Sequence, residues 1–228
     1  MRSLRSYVGL IYFLLLAVHC IAIYMETNTL RFATKLMLVP VLLVMMTLSF
    51  QRISVLVYIA FVCCWAGDIL LIKQGDLFFI SGMLAFIFAH IFNSINFYRL
   101  QDHQSCRMRE AMVTAIVLIL LSTAVFTILN PYLGTLRIPI LVYMTVISIM
   151  AILAAATASR QAIRKITFNL LLPGAFMFVL SDTLLAINKF IIHNTYIIDI
   201  PVMLLYGTAV YFLAQGFIAV ASLNAAKN

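Results

Sequence analysis

Eight apolar runs of near membrane-spanning length, joined by short connections, leave this chain few folds to choose from. They cover roughly residues 7–24, 32–50, 53–72, 77–97, 112–129, 137–158, 166–187 and 200–222. A helix needs about 20 apolar residues to cross a hydrocarbon core. Barrel strands would alternate in hydrophobicity over about ten residues, and these runs do not alternate. The expected fold class is therefore all-α, a polytopic membrane helical bundle with about eight transmembrane helices in a single transmembrane domain over residues 1–228. Residues are 65% hydrophobic and only 10% charged, where soluble domains carry about a quarter charged. Soluble enzyme folds are excluded on that ground. The first run follows two arginines and lacks a small-residue cleavage site, so it reads as a retained span.

The net charge of +8 would suit nucleic acid in a soluble chain, but here the basic residues lie in short loops and no nucleic-acid partner is expected. With eight spans, ten Lys and Arg fall on one side: Arg2, Arg5, Arg52, Arg99, Arg107, Arg109, Arg160, Arg164, Lys165 and Lys227. Five fall on the other: Arg31, Lys35, Lys73, Arg137 and Lys189. This bias predicts a multi-pass protein with both termini in the cytoplasm. Cys20, Cys63, Cys64 and Cys106 have no zinc-like spacing and read as small packing residues.

Against this apolar background the polar residues stand out. Asp182 lies inside the run Pro173–Phe190, PGAFMFVLSDTLLAINKF. A charged side chain in hydrocarbon costs about 2.5–3.5 kcal/mol on insertion scales and marks a functional-site candidate. The alternative is a helix-end position meeting headgroups. Asp68 sits in a matching stretch, FVCCWAGDILLI, and Gly67-Asp68-Ile69-Leu70-Leu71 parallels Ser181-Asp182-Thr183-Leu184-Leu185. The two carboxylates are 114 residues apart, half the chain, each near the end of the third span of a four-span half. Gly82-x7-His90 similarly resembles Gly207-x7-Gln215, which suggests two parallel repeats with the aspartates facing one cavity. Gly82, Phe86, His90, Asn93 and Phe97 share one face of the fourth span. His90 is either part of the site or a hydrogen-bonded core residue. Lys35, one turn inside the second span and followed by Pro40, either snorkels or joins the site. Tyr143 is a site candidate or plain packing, and Pro173-Gly174 can kink the seventh span. Tyr206, Tyr211 and Gln215 come from the eighth, and Gln215 is expected to face the bundle interior. Helix rise puts both aspartates about 6–8 Å inside their spans and His90 about 20 Å down its own. That predicts a pocket roofed by carboxylates and deepening towards His90 and Gln215.

GDILL in the third span, G-x3-F-x3-H in the fourth and G-x3-F-x2-SD-x-LLA-x-N in the seventh resemble the YhhN-like lysoplasmalogenase family. Lys35 with Pro40, and Tyr211-x3-Gln215, fit it too. The resemblance implies an integral-membrane hydrolase that cleaves the vinyl ether bond of lysoplasmalogens. The products would be a fatty aldehyde and glycerophosphoethanolamine or glycerophosphocholine. It implies catalytic roles for Asp68, Asp182 and His90, with Lys35, Tyr143, Asn188, Tyr206, Tyr211 and Gln215 around a lysophospholipid substrate in membrane lipid. The neighbouring ceramidase-like hydrolases hold zinc through several histidines. Here only His90 lies in a motif-bearing span, so no metal and no cofactor is expected. Vinyl ether hydrolysis starts with protonation of a carbon and passes through an oxocarbenium ion. A neutral carboxyl would deliver the proton and an ionised partner would steady the cation and activate water. Which aspartate is the acid is open at this level. The rival reading is a small-molecule or proton-coupled transporter, since intramembrane Asp and His also build proton relays.

Overall fold

The structure is a computed structural model that describes residues 2–49, 52–73, 75–102, 108–192 and 196–226. His103, Cys106, Arg107, His193 and Lys227 lie outside the described residues. Eight helical segments are long and apolar enough to span a membrane: α1 (Ser6–Tyr24), α2 (Asn28–Thr47), α3 (Val55–Ile72), α4 (Asp76–Leu100), α5 (Arg109–Tyr132), α6 (Gly134–Ser159), α7 (Gln161–Ile192) and α8 (Tyr196–Ala225). An even number of spans leaves both termini at one end of the bundle; the other end is called distal. Cys20, Cys63 and Cys64 are free thiols within the helices.

The largest departure from the predicted boundaries is α7, expected over 166–187. It begins with tight turns at Gln161–Ile163, widens to a π-helical turn at Thr167–Leu171 and closes with another at Asn188–Ile192. These irregular turns carry polar residues that end an apolar window but not a helix. The first π turn comes just before Pro173, whose ring would crowd the carbonyl four residues back in a regular α-helix.

Lipid tails are as apolar as leucine, so helices here associate through close fit and polar contacts. Gly67 and Gly82 set the α3–α4 crossing. A Cβ on Gly67 would lie 2.7 Å from the Phe86 ring, and one on Gly82 would lie 2.9 Å from the Leu71 side chain. Gly75 in the connecting turn takes φ +116°, a backbone that suits glycine alone. A second device joins α2 to α3. Pro40 has no N–H, so the Leu36 carbonyl loses its helical partner. The Trp65 indole N–H donates to that carbonyl instead, at 2.9 Å.

The helix order follows a pattern of two halves. α1 packs on α2 as α5 does on α6, α2 on α3 as α6 on α7, and α3 on α4 as α7 on α8. Across the halves, α4 packs on α6 and α8 on α2. The small residue before each aspartate meets the fourth helix of its own half: Gly67 meets Phe86, and Ser181 donates to the Val202 carbonyl at 3.0 Å. The predicted match of Gly82 with Gly207 does not hold, because Gly82 abuts α3 whereas Gly207 abuts Leu16 of α1. The repeat lives in helix order and the aspartate motif only.

Two stability tests follow from these contacts. Gly67→Val should destabilise the bundle by about 1–3 kcal/mol through overpacking against Phe86, read by thermal unfolding in detergent. Trp65→Phe leaves the Leu36 carbonyl unpaired and should cost about 1–3 kcal/mol. Adding Pro40→Ala restores a helical donor and should recover part of that loss; equal losses in the single and double variants would dismiss the Pro40–Trp65 link.

Candidate active site

Asp68 has a side chain only 4% exposed, yet it is fully partnered. Tyr206 on α8 donates to Oδ2 at 2.6 Å, and the Lys35 ammonium on α2 lies 3.6 Å from Oδ1. The Trp65–Leu36 bond lies next to Lys35 on α2 and one turn before Asp68 on α3, so it holds the register that lets the two charges meet. Lys35 is therefore an ion-pair partner and not a snorkelling residue.

Asp182 is organised differently. Tyr143 on α6 donates to Oδ2 through a short hydrogen bond. His90 on α4 brings Nε2 to 3.7 Å from the same oxygen and 3.2 Å from the tyrosine oxygen. The tyrosine proton is committed to the carboxylate, so its oxygen is left to accept from the imidazole Nε2–H. The chain His90–Tyr143–Asp182 can pass a proton along without moving a helix. Each carboxylate thus takes partners from corresponding places: Asp68 from spans two and eight, Asp182 from spans six and four.

Aromatic side chains fill the space between the two sites. Phe178 packs edge-on against His90 at 4.7 Å and against Tyr206 at 5.4 Å, and Phe86 contacts both Phe178 and Tyr206. The cavity, however, belongs to one of the two sites. A narrow cleft between α5, α6 and α7 is lined by Asp182, Tyr143, Thr183 and Ser122 among apolar side chains, and Asp68 is not on its wall. A groove between α5 and α6 shares Ser122, Met144 and Ser148 with that cleft and runs on past Ile119 and Ile152. Ser122 Oγ and Ser148 Oγ are 3.3 Å apart where the two meet.

The remaining predicted residues lie elsewhere. Asn188 donates to Asp199 Oδ1 at 2.8 Å, and Asp199 pairs with Arg31 at 2.6 Å, one turn distal to Lys35 on α2. Tyr211 and Gln215 turn towards α1 and α2. The Tyr211 ring stacks on Tyr12, and Gln215 donates to the Tyr211 oxygen at 3.0 Å and approaches Met45 sulfur at 3.4 Å. The expected pocket deepening from the aspartates to His90 and Gln215 is therefore not found. Asp182 lies ten residues short of Ile192, about 15 Å by helix rise, deep enough for its carboxylate to reach His90 at 3.7 Å. The depth was underestimated because α7 continues beyond its apolar window. Arg31 and Asp199 were missed; both sit at span ends, where charge is unremarkable. Among the described residues, no three His, Cys, Asp or Glu side chains converge as a metal site requires.

Eight short-looped spans carrying Asp68, His90 and Asp182 on matching helices agree with a sequence comparison in which the YhhN family profile matches residues 30–221. The chain belongs to the YhhN family. No curated protein and no solved structure matches it. The YhhN match begins just before Arg31 and takes in both carboxylates with all their hydrogen-bonding and ionic partners, leaving only α1 outside.

The Asp68 arrangement can be tested directly. Lys35→Met strands a buried carboxylate and should destabilise by about 3–5 kcal/mol. Asp68→Asn in the same chain should restore most of it, because the asparagine needs no counter-charge. Additive losses in that double variant, measured by thermal unfolding, would rule out the ion pair.

Proposed function

We propose that this YhhN-family protein is a membrane hydrolase that cleaves the vinyl ether bond of lysoplasmalogens, releasing a fatty aldehyde and a glycerophospho-alcohol. The observation that carries the reading is that Asp182, backed by Tyr143 and His90, lines a cleft that shares Ser122, Met144 and Ser148 with an apolar groove between α5 and α6. A single-chain lipid fits that layout, with its hydrocarbon chain along the groove and its ether at the carboxyl. Among the described residues no Lys or Arg pairs with Asp182, whereas Lys35 lies against Asp68. Asp182 is therefore the acid, and Asp68 steadies the site through Tyr206. Both termini lie in the cytoplasm in this reading, as the basic residues favour.

The reaction runs in three steps. The Asp182 proton moves to the ether carbon beta to oxygen, and the double-bond electrons form the new C–H bond. The adjacent carbon becomes an oxocarbenium ion facing the carboxylate just formed, which stabilises it. Water attacks that carbon and gives its proton to Asp182, restoring the acid. The resulting hemiacetal breaks its C–O bond as its hydroxyl proton passes to the departing glycerol oxygen, through Asp182 or the Tyr143–His90 chain. One carboxyl thus serves as acid and then base.

Purified protein in detergent should release aldehyde from a lysoplasmalogen. It should release none from the alkyl ether analogue, which has no carbon to protonate, and little product from the lysoester, which wants a nucleophile and an oxyanion hole. Asp182→Asn should lower kcat by about 10²–10⁴-fold, and deuterium oxide should slow turnover if carbon protonation limits the rate. Chelators should leave activity intact. Comparable ester cleavage would mark an acyl hydrolase, and absence of aldehyde would favour a carrier.

A further inference from the structure

Arg137 and Lys189 lie distal to the Asp182 cleft on two of the helices that line it, and neither had a part in the site so far. Arg137 is exposed at the start of the regular part of α6, three and seven residues before the cleft-lining Ile140 and Met144, and so on their face of the helix. Lys189 is seven residues beyond Asp182 on α7, two turns along the same side. Its ammonium rests 5.2 Å from the centre of the Phe79 ring, which packs with Leu129 and Ile140 at the cleft's distal end. The other distal cations are engaged away from the cleft: Arg31 pairs with Asp199, Lys35 pairs with Asp68, and Lys73 rests over Phe78. Among the described residues, neither Arg137 nor Lys189 has an acidic partner within ion-pair distance.

We infer that Arg137 and Lys189 form the recognition site for the phosphodiester headgroup of a single-chain lipid whose reactive ether lies at Asp182. The inference rests on the proposed hydrolase reading for the identity of the lipid. An arginine fork matches two phosphate oxygens and a lysine adds a mobile point charge. The spacing fits. Seven bonds separate the protonated carbon of a lysoplasmalogen from its phosphorus, about 8 Å at the ~1.2 Å per bond of an extended chain. Two helical turns lift Lys189 about 10 Å above Asp182. With the headgroup at these two cations, the tail runs inward past Ser122 and Ser148 along the α5–α6 groove. Lys35, expected around the lysophospholipid, pairs with Asp68, and the phosphate is left to cations not committed to a carboxylate.

The test is equilibrium binding of 1-O-alkyl-glycerophosphoethanolamine, which the proposed chemistry does not cleave, to the full chain in detergent. Matched 1-O-alkylglycerol, which lacks the phosphate, is measured beside it. The wild type should prefer the phosphate-bearing lipid. Arg137→Gln and Lys189→Gln should each cut that preference by about tenfold, and Arg137→Lys should keep part of it. Raised salt should weaken the preference, since the cations are at the membrane surface. An unchanged preference in both glutamine variants, or equal loss for the two lipids, overturns the inference. Inorganic phosphate binding as tightly as the lipid would also overturn it, because the site would then serve a free anion. A preference that behaves as expected in a protein that releases no aldehyde supports headgroup recognition and rejects the hydrolase reading alone.

Discussion

A carboxylate within hydrocarbon must be met by donors on other helices, and in this bundle that demand is made twice. Asp68 draws Lys35 and Tyr206, tying α3 to α2 and α8. Asp182 draws Tyr143 and His90, tying α7 to α6 and α4. Six of the eight helices are thereby held in position by two side chains. Packing supplies the close approach on which these contacts depend. Gly67 and Gly82 bring α3 onto α4, and the carbonyl left free by Pro40 is answered by Trp65. Where lipid removes the hydrophobic drive between helices, such polar and small-residue contacts set the arrangement.

The two carboxylates share a motif but not a surrounding. Asp68 is sealed by a cation and a phenol, with Phe86 and Phe178 between it and the other site. Asp182 faces a cleft and has only a phenol and an imidazole beside it. On the proposed reading, that difference gives unlike roles to residues the chain writes alike, and it places the chemistry on one carboxyl with a phenol and an imidazole beside it. The groove between α5 and α6 explains why α5, with no ionisable residue in its middle, is still part of the working structure: its Ser122 and Val125 form a wall of the cleft.

Much of the site was legible, because an ionisable residue in an apolar run is conspicuous and its cost in lipid is large. Asp68, Asp182, His90 and Lys35 stood out for that reason, and they fall into two pairs, Lys35 with Asp68 and His90 with Asp182. Tyr143 and Tyr206 were weaker candidates, since a tyrosine serves equally as packing, and they prove to be the hydrogen-bond donors to the carboxylates. Gln215 faces the bundle interior as expected, but it and Tyr211 lie across α8 from Asp68. From Tyr206 to Gln215 is nine residues, about half a rotation on a helix of 100° per residue, so one faces Asp68 while the other faces α1 and α2. Arg137 and Lys189 gave no signal, because a basic residue at a span end is what any membrane helix offers.

Sequence alone determined the number of spans, their helical nature and the presence of two carboxylates within apolar runs, since run length and the energy of charge in hydrocarbon are local properties. It also carried the repeated small-Asp motif that marks the third helix of each half. The tertiary structure decided which groups answer each carboxylate, how deep Asp182 lies and which of the two opens to a cavity. These depend on helix crossing, rotation and the irregular turns that lengthen α7. The same small-Asp-x-Leu-Leu pattern can be buried behind aromatics or set against a cleft, because the neighbours come from distant parts of the chain.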